Sequence, residues 1–206
     1  MYLPETLKQL AMQLIHDHLY HLYNQGNNRT KIFYKKENYE FFLQKFRKYV
    51  LPYAKVLSYC LMPNHFHFLL YTSELSIILK KIGGLYVTNL AEGFRQLLSS
   101  YSQAINKQES RTGSLFRQKT KAKLLDNGDE DYPLTCFHYH HQNPVMAGLV
   151  HKLEDWEYSS FREYLKGGKD SLCDIKLAHK LLDISKKHFY EESYLMIDPE
   201  KIKKIF

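Results

Sequence analysis

Cysteine is scarce in this chain of 206 residues. Cys60, Cys136 and Cys173 are odd in number and widely spaced, so they do not form a disulfide framework. No apolar run approaches the length of a membrane span, and no membrane association is expected. Met1 to Gln13 lacks a basic segment followed by an apolar run, so no signal peptide is expected and a cytoplasmic location is. The chain has no internal repeat and no low-complexity tract. What it does have is the profile of a soluble globular protein: 25% charged and 44% hydrophobic residues. Lys and Arg exceed Asp and Glu by seven, which suits a polyanionic partner, nucleic acid before a membrane surface. Seventeen tyrosines and twelve phenylalanines add faces on which bases can stack, although most of them are expected in the core.

Apolar spacing predicts a helix over Leu7 to Ile15 and a strand over His18 to Tyr23, ending at the turn cluster Asn24-Gln25-Gly26-Asn27-Asn28. An amphipathic helix follows over Glu37 to Tyr49. Val56 to Met62 and Phe66 to Tyr71 read as strands split by Pro63-Asn64. Leu75 to Ile82 and Tyr86 to Ile105 read as helices on either side of Gly83-Gly84. Ser114 to Leu125 reads as a strand and Asp129 to Asn143 as a helix that ends before Pro144. Trp156 to Tyr164 is expected to pack back on the body. Lys166-Gly167-Gly168-Lys169 reads as a linker. The order is that of an α+β fold, an antiparallel sheet with helices on one face, plus a small helical C-terminal appendage. The domain division is 1–165 and 166–206.

Three groups of residues carry potential chemistry. His65-Phe66-His67 on a strand projects both imidazoles from one face, which starts a metal site. The plain alternative is two hydrogen-bonded histidines in a half-buried strand. Tyr139 and Asn143, four residues apart on a helix, share a face. A tyrosine hydroxyl with its pKa near 10 needs a metal-polarised electrophile or a base before it attacks, and Asn143 offers an amide oxygen as a metal ligand. The alternative is a core tyrosine beside a solvated row of histidines. Arg117, Lys119, Lys121 and Lys123 alternate along the predicted strand, with Arg111 upstream, and would make one cationic stripe for phosphates or an ordinary solvated face. Cys136 with His140, and Cys60 with His65, also allow a Cys2His2 zinc site, though the spacing matches no compact zinc motif.

Taken together, several segments resemble one family. Leu61-Met62-Pro63-Asn64-His65-Phe66-His67-Phe68-Leu69-Leu70 resembles the metal-binding signature of the single-tyrosine transposases of the HUH class. Arg111-Thr112-Gly113-Ser114-Leu115-Phe116 resembles the stretch before their last core strand. Tyr139 to Val150 resembles their tyrosine helix, with Met146 where an arginine is expected. Trp156-Glu157-Tyr158-Ser159-Ser160-Phe161 resembles the short motif that follows, and Asn24 to Asn28 also fits. The branch most resembled is the REP-associated tyrosine transposases, over residues 18 to 164. The resemblance implies a ferredoxin-like sheet and a divalent metal, Mg2+ or Mn2+, on His65, His67 and Asn143, with Gln142 as the fallback for the third ligand. It makes Tyr139 the nucleophile that forms a 5′-phosphotyrosine link in single-stranded or hairpin DNA. Asn27, Asn28, Arg29, Arg111, Arg117, Lys119, Lys121 and Lys123 are then the expected DNA contacts, the location is nucleoid-associated, and monomer and homodimer are both compatible. Two other classes compete: a replication-initiation or relaxase-type nickase, and a non-catalytic DNA- or RNA-binding protein that keeps the fold.

Overall fold

The computed structural model describes residues 14–126, 131–168 and 170–206. The predicted helix over Leu7 to Ile15 falls largely outside these residues, as do the Asn127-Gly128 turn and Lys169. Strand β1 (Leu19–Gln25) leads through a loop to α1 (Lys36–Tyr49). The hairpin β2 (Ala54–Met62) and β3 (His65–Thr72) follows, then a short α2 (Glu74–Ile77), β4 (Leu79–Ile82), β5 (Leu85–Thr88) and the long α3 (Asn89–Gln108). Strand β6 (Lys121–Leu124) precedes α4 (Asp131–Met146), α5 (Phe161–Lys166), α6 (Ile175–Leu182), α7 (Phe189–Ser193) and α8 (Pro199–Lys204). Strands β2, β3, β1 and β6, in that spatial order, make an antiparallel four-stranded sheet. This is the α+β architecture expected from the order of elements.

Side chains alternate between the two sheet faces. Tyr20, Leu22, Tyr59, Leu61, Phe66, Phe68 and Leu70 point to one face, where Phe42 and Phe46 of α1 and Phe94, Leu97 and Tyr101 of α3 cover them. Phe46 stacks on Phe68 at 4.2 Å between ring centroids. The other face gains a second layer. There Leu19, Leu57 and Leu69 pack under Cys136 and Phe137 of α4, together with Phe161, Ala178, Leu182, Phe189 and Ile205. Residues of the C-terminal 40 or so thus share a core with the sheet. Val56 and Leu57 serve opposite layers by ordinary strand alternation, and a β-bulge between Val56 and Ser58 turns Ser58 to the same side as Leu57, toward α4.

The outer edge of β2 is not left open. Leu61 N donates to Tyr158 O (2.8 Å), Ser160 N to Tyr59 O (3.0 Å) and Trp156 Nε1 to Leu61 O (3.2 Å). The Trp156–Phe161 motif therefore satisfies backbone groups that would otherwise invite another strand, and it packs on the body as its composition suggests.

Four expected elements differ. Leu75 to Ile82 and the start of the next predicted helix instead form α2 and the β4–β5 hairpin. Gly83 and Gly84 both take positive φ (55° and 85°), the conformation a two-residue hairpin turn demands and that glycine adopts without penalty. The strand expected over Ser114 to Leu125 is only Lys121–Leu124. The buried Asn24 amide donates to Arg117 O (3.2 Å) and Thr120 Oγ1 (3.0 Å), so residues 117–120 arch off β1 before rejoining it. The stripe is accordingly split, with Lys121 and Lys123 in the ladder and Arg117 and Lys119 on the arch. Helix α4 does not stop at Asn143 but runs on through Pro144 to Met146, forgoing the bond a residue-144 N–H would make to the His140 carbonyl, and Ala147 N to Asn143 O and Leu149 N to Pro144 O close its end. Among the described residues no helix is long and apolar enough to cross a membrane.

Helices α1 and α3 approach closely at Gly93, where an added Cβ would strike the Tyr49 carbonyl. Gly93→Ala is expected to cost about 1–3 kcal/mol, read as a lower midpoint in urea denaturation. An unchanged midpoint would contradict this packing.

Candidate active site

The site lies on the α4 side of the two central strands. In the ladder Gln25 faces His65 and Tyr23 faces His67 on β3, while Lys121 and Lys123 on β6 face Tyr23 and His21. Paired residues share a face, so His21, Tyr23, His65, His67, Lys121 and Lys123 all project toward α4. Lys121 Nζ sits 5.8 Å from the Tyr23 ring centre.

His67 is buried. Its Nδ1 lies 2.9 Å from His21 Nε2, and its Nε2 is buried with no hydrogen-bond partner. His65 is partly exposed, with Nδ1 2.6 Å from Asn64 Oδ1. Asn64 Nδ2 donates to Arg29 O (3.4 Å), which orients the amide with its oxygen toward His65. An amide oxygen only accepts, so His65 carries its hydrogen on Nδ1 and leaves Nε2 bare.

Helix α4 supplies the opposite wall. The Tyr139 ring stands edge-on to His67 at 5.7 Å, and His140 stacks on His67 at 5.5 Å. His140 Nδ1 meets Ser58 Oγ (2.8 Å) and its Nε2 meets Cys136 Sγ (3.3 Å). One turn on from Tyr139, Asn143 is buried with an unpartnered Nδ2. The neighbouring polar residues are tied elsewhere: His141 Nε2 to Ser160 Oγ (2.8 Å), and Gln142 Nε2 to Ser193 O (2.8 Å) and Leu195 O (2.7 Å). The helix is thus sandwiched, and its histidines do not form a solvated row. Beyond α8, His21 Nδ1 lies 2.7 Å from Ile205 O, and the Phe206 ring packs on Tyr139 (5.5 Å), His67 (5.7 Å) and His21 (5.3 Å).

One nitrogen each from the buried His21, His67 and His140 lies within 4.8 Å of the others, so these three can hold a metal ion. No cysteine belongs to that group. Cys136 touches His140, but burial pushes its thiol well up, and the Cys2His2 set is not assembled. Burial also drives the histidines toward their neutral form. His21 and His65 fall to about 4, and His67 and His140 lie well below their ordinary value. Their bare nitrogens are lone-pair donors at neutral pH. Burial raises the Tyr139 hydroxyl, so the protein alone does not activate it.

Of the expected DNA contacts, Asn27, Asn28, Arg29, Arg111, Arg117 and Lys119 lie near one end of the central strands, whereas Lys121 and Lys123 lie along β6 beside Tyr23 and His21. Asn27, Asn28 and Arg29 are exposed on the loop after β1, which Gly26 N to Asn64 O and Ile32 N to Pro63 O pin to the turn before His65. Asn27 N to Leu115 O and the Gly26–Phe116 bridge bring the Arg111–Phe116 segment alongside. Arg111 is half-buried with Nη2 3.4 Å from Ser114 O, and Arg117 and Lys119 are exposed on the arch. Met146 stands exposed at the end of α4. Sequence spacing did not single out His21, Ser58 or Phe206 for the site, and it used His140 only in a zinc arrangement. His21 and Tyr23 are an i,i+2 pair on a strand, but nothing local gives the register that puts them beside His67.

No family model matches this sequence, and no curated protein matches it. Among solved structures, one described as a REP-associated tyrosine transposase bound to a REP hairpin superposes with a TM-score of 0.55 at 16% identity, covering 78% of this chain and 88% of that one. That likeness is one of fold.

Burying neutral imidazoles sets a pH dependence. In His21 and His138 the folded value is about 4 against an ordinary 6.5, so the unfolded chain binds more protons between those limits. Stability is then greatest above pH 6.5 and falls as pH drops toward 4, by up to about 1.4 kcal/mol per pH unit for each such group. Urea unfolding from pH 7.5 to 4.5 should show this decline. Constant stability over that range would contradict it.

Proposed function

We propose that this chain is a metal-dependent endonuclease and strand transferase acting on single-stranded DNA at hairpin-type sites, with Tyr139 as nucleophile. The observation that carries the reading is the Tyr139 ring 5.7 Å from His67, a buried histidine whose Nε2 has no partner. Buried polar atoms are nearly always satisfied, and this bare nitrogen shares a strand face with the bare Nε2 of His65, under the helix that carries Asn143. The two imidazole nitrogens fit a divalent cation, Mg2+ or Mn2+, and Asn143, whose unpartnered Nδ2 is a donor, would join them through its amide oxygen. A metal among His21, His67 and His140 would displace a hydrogen bond at His21 and another at His140, whereas one on His67 Nε2 displaces none. When bound, the ion polarises a phosphate oxygen and stabilises the charge that develops there.

The chain's own groups account for the rest. Tyr139 Oη forms a bond to phosphorus, the bond to the 3′ oxygen breaks, and the tyrosine proton passes, in net, to that oxygen. The product is a 5′-phosphotyrosine link and a free 3′-hydroxyl. Attack by a 3′-hydroxyl on the link reverses the exchange and rejoins strands without an external energy source. Exposed Asn27, Asn28 and Arg29 offer contacts for unpaired bases and backbone, and Arg111, Arg117, Lys119, Lys121 and Lys123 offer cations for phosphates. The fold shared with a transposase bound to a REP hairpin supports this reading.

Incubation of a hairpin with single-stranded flanks, Mn2+ and protein is expected to give a denaturant-resistant adduct that Tyr139→Phe abolishes with little change in hairpin affinity. His65→Ala and His67→Ala should remove metal-dependent cleavage, and Asn143→Ala should weaken it. An adduct surviving in Tyr139→Phe, or equal cleavage in chelator, would refute the reading.

Phosphate contacts release counterions, giving a salt dependence of about 0.7 log units per contact for single strands. Lys121→Gln combined with Lys123→Gln is expected to flatten the slope of log affinity against log salt by about 1.4. Hairpin preference should persist. An unchanged slope would make these lysines an ordinary solvated edge.

A further inference from the structure

Resting on the reading of His67 as a metal ligand, we infer that His21 is a positioning residue that fixes the tautomer of His67, and that the backbone carbonyl of Ile205 fixes His21 in turn. Hydrogen-bond polarity dictates the chain of reasoning. A carbonyl oxygen only accepts, so His21 Nδ1, 2.7 Å from Ile205 O, must carry a hydrogen. A neutral imidazole has one N–H, and among the described residues no carboxylate touches either ring, so His21 Nε2 is a bare acceptor. The atom facing it at 2.9 Å is His67 Nδ1, which must therefore donate. His67 is left with its lone pair on Nε2, the buried nitrogen that nothing in the protein satisfies.

Two core histidines bonded to each other would be unremarkable if the chain ended on a satisfied atom. This one runs in a single direction, from an obligate acceptor to an orphaned lone pair. His65 repeats the pattern by other means, with Asn64 Oδ1 in the role that His21 plays for His67. The anchor is rigid: Ile205 is fully buried in the core with Leu57, Leu69 and Phe137, and the Phe206 ring packs on both His21 and His67. Without an acceptor at His21, the His67 Nδ1–H would be buried unpaired, and the tautomer protonated on Nε2, which cannot ligate, would compete.

The test uses the full chain with 15N-labelled histidine and no metal, where long-range 1H–15N correlations report which nitrogen of each ring is protonated. Wild-type protein is expected to show His21 and His67 both protonated on Nδ1. His21→Leu, which keeps volume but removes the acceptor, should lose that preference at His67 and lower Mn2+ affinity by about 10–100-fold in calorimetry. His21→Gln, whose side-chain oxygen can accept in place of Nε2, should stay within a few-fold of wild type and serves as the check if the leucine variant does not fold. His67 protonated on Nε2 in the wild type, or His21→Leu binding Mn2+ as wild type does, would overturn the inference. So would His21→Gln losing the ion as completely as His67→Ala while His65→Ala keeps it, since His21 would then be a ligand. Wild-type protein with the expected tautomers but no affinity for Mn2+ would instead overturn the metal-dependent reading, leaving the hydrogen-bond chain intact.

Discussion

Across the two central strands, Tyr23 faces His67 and Gln25 faces His65, and this register holds the site together. A slip of one residue would turn both histidines into the layer of Phe42, Phe46 and Phe94, and would bring Phe66 and Phe68 under α4. The slip is prevented from the far side. Tyr20, Leu22, Phe66, Phe68 and Leu70 fill that layer with hardly any exposed surface, and burying a phenylalanine is worth about 1.5–3 kcal/mol. The aromatic core thereby sorts the polar residues of β1, β3 and β6 onto the other face. It is the apolar half of each strand that places the chemical half.

Helix α4 meets that polar face with an unusually polar and buried surface of its own. His138, His140 and His141 each find a hydroxyl partner, in Ser193, Ser58 and Ser160, and Gln142 bridges two carbonyls. Among the described residues here, three buried atoms stay unpartnered: Nδ1 of His141, Nε2 of His67 and Nδ2 of Asn143. A buried polar group left unpaired costs about 1–3 kcal/mol, and the surrounding layers hold all three in place despite that cost. His140, whose nitrogens both have partners, stacks on the His67 ring.

Much of this was legible before the structure. Period-two and period-3.6 patterns gave β1 to β3, α1 and the body of α3, because those elements bury one clean face. The His-x-His pair and the Tyr139–Asn143 spacing need no more than strand and helix periodicity. The β4 strand was misread as helix because Leu75, Ile78, Leu79 and Ile82 fall at helical spacing, although the Gly83-Gly84 pair carried the turn signal. The cationic stripe was drawn too long because Asn24 binds Arg117 and Thr120, 93 and 96 residues further on, through its side chain, a contact with no local signature. His21 was missed for the same reason. Its role depends on a partner 46 residues away and an anchor 184 residues away.

The central claim is that Tyr139 and the metal-ready histidines act on one phosphate. Its most direct measurement is to trap cleavage on a hairpin oligonucleotide, digest the protein, and sequence the nucleotide-bearing peptide by tandem mass spectrometry, with and without Mn2+. The account predicts a single modified residue, Tyr139, joined through a 5′-phosphate and formed in the presence of the ion. Cleaved DNA with no adduct, or an adduct on another tyrosine such as Tyr23, would contradict it.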